Sequence, residues 1–292
     1  MVTSAHGPVV VGISDTEDST EALDWASSWA AATGRPLRLV HARDNARGDS
    51  TFADARSDGT QVAESRRTLF DNAANRVLAN HPDVSVTVVE SGDTSSVLLA
   101  QSQEASVLVV GSRRGAVGWS PAGAIHRSVM RQADCPVVVV RDPPARSGLA
   151  RRVVLGVDGT LVSRGAAEFA FYYASTFGLP VVVVHCSLER WARGSAVLAL
   201  LSRSDQHGPT AEERLLVAET IAGLADQYPD VEHRAAHRSG RPADELIDLS
   251  RSTQLLVLGA RRRRGVLRLL HRSVSSDVAM RAQCPVAVVS AI

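Results

Sequence analysis

The chain has 292 residues, 45% of them hydrophobic, and a formal charge of +1; the length suits about two domains, and the charge singles out neither nucleic acid nor an anionic membrane as partner. Lysine is absent, so a phosphate-loop lysine, a Schiff base and a lysine general base are excluded together. No charged leader with an apolar core opens the sequence, and no apolar run approaches the ~18 residues of a membrane helix, which predicts a cytoplasmic protein without a membrane partner.

Pro8 to Ile13 is a short β-branched run without polar alternation, as suits a strand buried on both faces of a parallel sheet. A helix should follow, with Asp18 and Ser19 offering N-cap oxygens, Ala22, Trp25, Ala26 and Trp29 at helical spacing, and Gly34 where a left-handed C-cap belongs. The two tryptophans lie one helical turn apart, and core packing accounts for them. Leu37 to Ala42 reads as the next strand, 43–60 as a loop and Gln61 to Asn80 as a second helix. Val84 to Val89, a helix from about Ser95, Val107 to Val110, a glycine-containing loop, a helix around Ile125 to Gln132 and a closing run from Pro136 to Val140 complete the first half.

The pattern then returns. Val153-Val154-Leu155-Gly156 repeats Val9-Val10-Val11-Gly12 after 144 residues, and Leu39-Val40-His41, Ser91-Gly92, Leu108 to Arg113 and Cys135-Pro136-Val137 have counterparts at Val183, Ser239, Leu256 and Cys284. A helix from Ser163 carries Ala166, Ala170, Tyr173 and Phe177 on one face and ends at Gly178, a strand runs from Val181 to Cys186, 187–209 read as a loop, and Thr210 to Gln227 as a helix. Such repetition implies two like folding units. The polar stretch Arg141 to Gly148, with Pro143 and Pro144, places the cut near residue 147 and gives domains 1–147 and 148–292. Alternating strands and helices predict an α/β class with two tandem, doubly wound parallel sheets, whose ligands bind beyond the strands' carboxyl ends where strand order reverses.

The Val-Val-Gly openings, the Val-His after the second strands, the Val-Val-Gly-Ser-Arg-like fourth strand and the Cys-Pro-Val endings, in order in both halves, resemble the universal stress protein family in its tandem two-domain form. The resemblance implies Rossmann-like domains related by a pseudo-two-fold, with the closing strands Pro136 to Val140 and Pro285 to Val289 near the axis, and a homodimer permitted but not required. It also implies an adenine nucleotide such as ATP as the ligand to weigh; no cofactor is fixed by the residues themselves. ATP-holding members carry Gly-x2-Gly-x9-Gly-Ser/Thr after the fourth strand, where backbone amides and a helix N-terminus face phosphate. An aspartate after the first strand contacts the ribose, and backbone beside the second strand's end reads adenine, which corresponds here to Ala42 and Cys186.

This sequence keeps only fragments of that site. In the second half Asp158, Gly159, Gly259, Ser273 and Val274 match, but Arg262 and Arg272 replace the other two loop glycines. In the first half Ser14 takes the aspartate's place with Asp15 displaced by one, and the loop of Gly111, Gly115, Gly123 and Ala124 is one residue short and lacks the hydroxyl. Degenerate loops mark members that do not hold ATP, so the leading expectation is a non-enzymatic stress-response binding or regulatory module with an unidentified protein partner. An ATP-binding sensor using the second half is the alternative. A nucleotide-dependent enzyme on a related fold ranks below both, because Gly156 to Thr160 lacks a Ser-Gly-Gly-x-Asp-Ser-like loop.

Arg261, Arg262, Arg263, Arg264, Arg268 and Arg272 form a basic cluster with three readings. They are a solvated loop balanced by acids elsewhere, an anion site of guanidinium forks, or, least favoured at this net charge, a nucleic-acid contact. His41 and His185 recur at strand ends without nucleophile or metal-ligand spacing and read as satisfied structural histidines. Cys135, Cys186 and Cys284 are too scattered for a disulfide framework or a metal site, and the two before prolines read as small core residues.

Overall fold

Runs of valine and leucine with no polar alternation can be satisfied only in a strand covered on both faces, and both halves build such strands at their centre. The computed structural model describes residues 7–14, 17–42, 59–91, 94–112, 121–141, 151–187, 209–261 and 273–290. The chain divides into two compact units, Met1–Asp142 and Pro143–Ile292; the cut expected at residue 147 lies outside the described residues.

In the first unit β1 (Val9–Ile13), α1 (Glu17–Thr33), β2 (Leu37–Ala42), α2 (Gly59–Asn80), β3 (Val86–Ser91), α3 (Thr94–Ser102), β4 (Val107–Gly111), α4 (Pro121–Gln132) and β5 (Val137–Val140) follow one another. Its strands run parallel in the order β3-β2-β1-β4-β5. The second unit repeats the plan with β6 (Val153–Val157), α5 (Leu161–Phe177), β7 (Val181–Ser187), α6 (Ala211–Thr220), α7 (Leu224–Gln227), β8 (His233–Ser239), α8 (Pro242–Leu249), a 3-10 turn at Ser250–Ser252, β9 (Leu255–Ala260), α9 (Val274–Arg281) and β10 (Val286–Ser290). Its order is β8-β7-β6-β9-β10, again parallel. In each unit the strand order reverses beside the first strand, between β1 and β4 and between β6 and β9, so each has one switch point at the carboxyl ends.

The helices sit on both faces, since α1 packs with α2 and α3 with α4, while α5 packs with α6 and α7 and α8 with α9. Val9, Val10, Val11, Val153, Val154 and Leu155 have no exposed surface. Trp29 is buried, stacks on the half-buried Trp25 at 6.0 Å, and completes the apolar face of α1. Cys135 and Cys284 are buried and in no disulfide, and burial pushes Cys284 up to about 12. No described helix is long and apolar enough to cross a membrane.

Some expected details differ. Helix α1 begins at Glu17, so Ser19 lies inside it and does not cap it; its buried hydroxyl accepts the Ser14 N–H at 2.9 Å. Helix α5 begins at Leu161 rather than Ser163, with Thr160 at the N-cap, while Gly178 ends it at φ 60° as expected. The single helix expected over 210–227 is broken, because the chain leaves helical geometry at Ile221 and passes through Gly223 at φ 79° before α7. Strand β3 starts at Val86 rather than Val84, whose N–H is turned back to the His81 carbonyl.

A buried hydroxyl clasp recurs on the α3 and α8 side. Ser102 donates to the Leu99 carbonyl at 2.6 Å and accepts the Asp134 N–H at 3.0 Å; Ser250 donates to the Ile247 carbonyl at 2.6 Å and accepts the Gln283 N–H at 2.9 Å. Each ties the end of a helix to the turn entering the last strand of its unit. Alanine at either position removes an acceptor from a backbone donor in a dry site, which costs about 1–3 kcal/mol. Urea unfolding of Ser102→Ala and Ser250→Ala should show that loss, whereas wild-type midpoints for both would refute the clasp.

Candidate functional site

Beyond the carboxyl ends of β1 and β6 both units fix their first loop with a serine from the following helix. The Ser14 N–H donates to Ser19 Oγ at 2.9 Å, and the Asp158 N–H donates to Ser163 Oγ at 3.1 Å. Asp158 goes further. Its Oδ1 accepts from the Thr160 N–H at 3.1 Å, Thr160 Oγ1 at 2.6 Å and Ser163 Oγ at 2.8 Å, while Oδ2 lies 3.9 Å from an Arg261 guanidinium nitrogen. Burial works to raise the Asp158 carboxyl, but the hydrogen bonds from Thr160 and Ser163, with the Arg261 charge, outweigh it and hold the group below the usual carboxylate range.

The glycines that match the nucleotide motif have packing reasons of their own. Gly159 turns at φ 74°, and a Cβ there would lie 2.6 Å from Leu216 Cδ1 of α6. A Cβ on Gly259 would lie 2.9 Å from Val162 Cγ1 and 3.0 Å from the Val162 carbonyl oxygen, so β9 meets the start of α5 only because residue 259 has no side chain. Ser273 takes the N-cap position of α9 in extended geometry and pairs its hydroxyl with Ser275 at 2.7 Å without capping a backbone N–H, and Val274 opens the helix.

Cys186 is half-buried on β7, where burial first and Glu245 second push its thiol up to about 12, Arg238 opposing. The neighbouring His185 Nδ1 lies 3.0 Å from the Val157 carbonyl oxygen, and its ring meets His237 at 6.2 Å. A capping box, in which Thr210 Oγ1 accepts the Glu213 N–H and Glu213 accepts the Thr210 N–H, starts α6 beside them. The Thr210 N–H holds Glu213 below the usual range against burial, helped by Ser187 and the two histidines. In the first unit the His41 ring packs edge-on to Phe70 at 6.1 Å.

The remaining site expectations divide by position. Ser14 is exposed at the end of β1, Gly111 ends β4, Ala42 ends β2, and Gly123 and Ala124 lie in the first turn of α4. Asp15, Gly115, Arg262, Arg263, Arg264, Arg268 and Arg272 lie outside the described residues. Asp158 and Arg261 are brought together, as are Asp158, Thr160 and Ser163. The contributions of Thr160, Ser163 and Leu216 escaped the sequence reading; the recurrence of serine at 19 and 163 was a visible signal for Ser163 alone.

These units match known proteins closely enough to place the chain. The model of the universal stress protein family matches residues 6–141 and 150–290, and the chain belongs to that family. It is 31% identical over 300 residues to a universal stress protein of Mycolicibacterium smegmatis, covering 96% of both chains. It is 30% identical over 299 residues to one of Mycobacterium tuberculosis, covering 97% of this chain and 96% of that one. A universal stress protein structure from Archaeoglobus fulgidus shares the fold with a TM-score of 0.70 at 17% identity, covering 98% of this chain and 99% of that one.

The sign of the Asp158 effect on stability follows from its lowered value. A carboxyl depressed in the folded state stabilises above its unfolded value, about 3.9, and loses that contribution as pH falls through the folded value. With the side chain 65% exposed, solvent screening keeps the effect below about 1 kcal/mol. Asp158→Asn should therefore be slightly less stable than wild type at pH 7 and equally stable near pH 2, measured by urea unfolding. A deficit independent of pH would contradict the assignment.

Proposed function

We propose that the chain is a non-enzymatic binding and regulatory module of the stress response whose nucleotide sites are vestigial, acting in the cytoplasm through a protein partner, with its two copies divided near residue 147. The observation that carries this reading is the state of the Asp158 carboxylate. One oxygen already accepts three hydrogen bonds from its own loop, and the other faces Arg261. A ribose hydroxyl seeking Oδ1 must displace Thr160 and Ser163, and one seeking the exposed Oδ2 competes with the Arg261 charge, so the carboxylate has less to offer a ligand than an unengaged one. The retained glycines lend no independent support to a phosphate site, since the φ of 74° at Gly159 and the close approach of Val162 to Gly259 each give a local reason for glycine. In the first unit Ser14 stands where a ribose-binding carboxylate belongs.

A second reading, an ATP-binding sensor using the second unit, draws on Asp158 being held ionised and on Ser273 standing at the N-cap of α9. Calorimetric titration of the whole chain with ATP separates the two. The vestigial reading predicts a Kd weaker than about 1 mM, corresponding to −4.1 kcal/mol. It further predicts that Arg262→Gly with Arg272→Gly tightens ATP at least tenfold, or ~1.4 kcal/mol, by restoring close backbone approach to phosphate. Micromolar binding by wild type that the double variant weakens would overturn it and make the arginines the anion ligands.

A further inference from the structure

At the opposite end of the second unit's sheet, the amino ends of β6, β7 and β8 frame an open cleft of about 460 Å³ lined by Arg151, Arg152, Pro180 to Val182, Glu232, His233 and Arg234. Arg234 and Arg238 project from the same face of β8 by strand alternation. Among the described residues, none of Arg151, Arg152, Arg234 and Arg238 forms an ion pair, Glu232 included.

Arg152 is the fixed member. Its carbonyl accepts the Gln254 N–H at 2.9 Å, and its Nη2 donates to Ser252 Oγ at 2.7 Å. Its Nε is buried without a hydrogen-bond partner. Burial first, then the charges of Arg234 and Arg238, hold its guanidinium below its ordinary value. A half-buried cation beside two others, with no ion pair among the described residues, is an arrangement that an anion relieves.

We propose that this cleft is an anion site for a phosphate group carrying at least two charges, as in a diphosphate, separate from the nucleotide-site remnant beyond the carboxyl ends of the strands. A simpler account makes the arginines guards of an open edge, since β8 ends its unit's strand order and charged edge strands resist unwanted pairing. That account covers Arg234 and Arg238, which are exposed. It leaves Arg152 unexplained, because β6 is an interior strand and a guard has no need of burial or of a fixing bond to Ser252. Planar guanidinium forks on a rigid strand end match the geometry of phosphate oxygens, and Arg152 is already immobilised, so little side-chain freedom is lost on binding.

Titration calorimetry of the whole chain with inorganic pyrophosphate and, separately, with ADP tests the site. Pyrophosphate should bind and weaken with added salt. Arg234→Gln, at an exposed position that leaves folding intact, and Arg152→Gln should each weaken it about tenfold, the value of one charge-assisted hydrogen bond. The Arg262→Gly, Arg272→Gly variant should keep the part of pyrophosphate binding that depends on Arg152 and Arg234, whatever its loop adds. ADP binding that depends on the same two arginines also supports the site and shows that it accepts an esterified diphosphate; pyrophosphate binding alone shows that it takes the free anion. Absence of binding by both probes, indifference to Arg152 and Arg234, or loss of binding in the loop variant overturns the proposal.

Discussion

One hydroxyl governs the loop that leaves β6. Ser163 Oγ accepts the Asp158 N–H and donates to Asp158 Oδ1, so a residue in the first turn of α5 fixes both the backbone and the side chain at the strand's carboxyl end. Thr160 adds two donors to the same oxygen, and Arg261, reaching from the end of β9, lies 3.9 Å from the other. The strands make this arrangement necessary. With Val153, Val154 and Leu155 covered on both faces, polar chemistry is excluded from the sheet and gathers where the chain emerges from it. The first unit keeps the backbone half of the device through Ser19 and Ser14. Lacking a carboxylate at residue 14, it has nothing for a side-chain lock to hold.

Much of the fold was legible because the physics that dictates it is periodic. Valine runs without alternation announced the doubly covered strands, and helical spacing from Ala22 to Trp29 announced α1. Glycines 34 and 178 marked helix ends through the left-handed turn that only glycine takes cheaply. Capping was less legible, because Ser19 reads as an N-cap from composition alone, whereas the donor that claims its hydroxyl, the Ser14 N–H five residues earlier, is fixed only by the turn from strand to helix. The break between α6 and α7 was hidden for a similar reason, since Gly223 in a helical pattern costs only about 1 kcal/mol and local propensity does not enforce the interruption.

The candidate site was half legible. The resemblance to the universal stress protein family singled out Asp158, Gly159, Gly259 and Ser273 as matches to its nucleotide motif, and the chain belongs to that family. What spacing does not carry is the reason a residue is retained. Gly159 turns at φ 74° and Val162 crowds Gly259, so both glycines have local reasons to be kept whether or not phosphate ever approaches. The Asp158 carboxylate, likewise, satisfies its own loop. The two ends of the second sheet then differ in electrostatic character: at the carboxyl ends Asp158 answers Arg261, while at the amino ends Arg152 and Arg234 share a cleft without an ion pair among the described residues.

The account turns on whether the Asp158 carboxylate belongs to its own loop or is available to a ligand. Carbon-13 NMR of the aspartate carboxyl carbons, titrated from pH 7 to pH 2 with and without millimolar ATP and assigned through Asp158→Asn, reads this directly. The account predicts a pKa below the ordinary aspartate value of about 3.9, with a resonance and midpoint that ATP leaves unmoved. An ordinary midpoint, or a resonance that shifts as ATP is added, would contradict it.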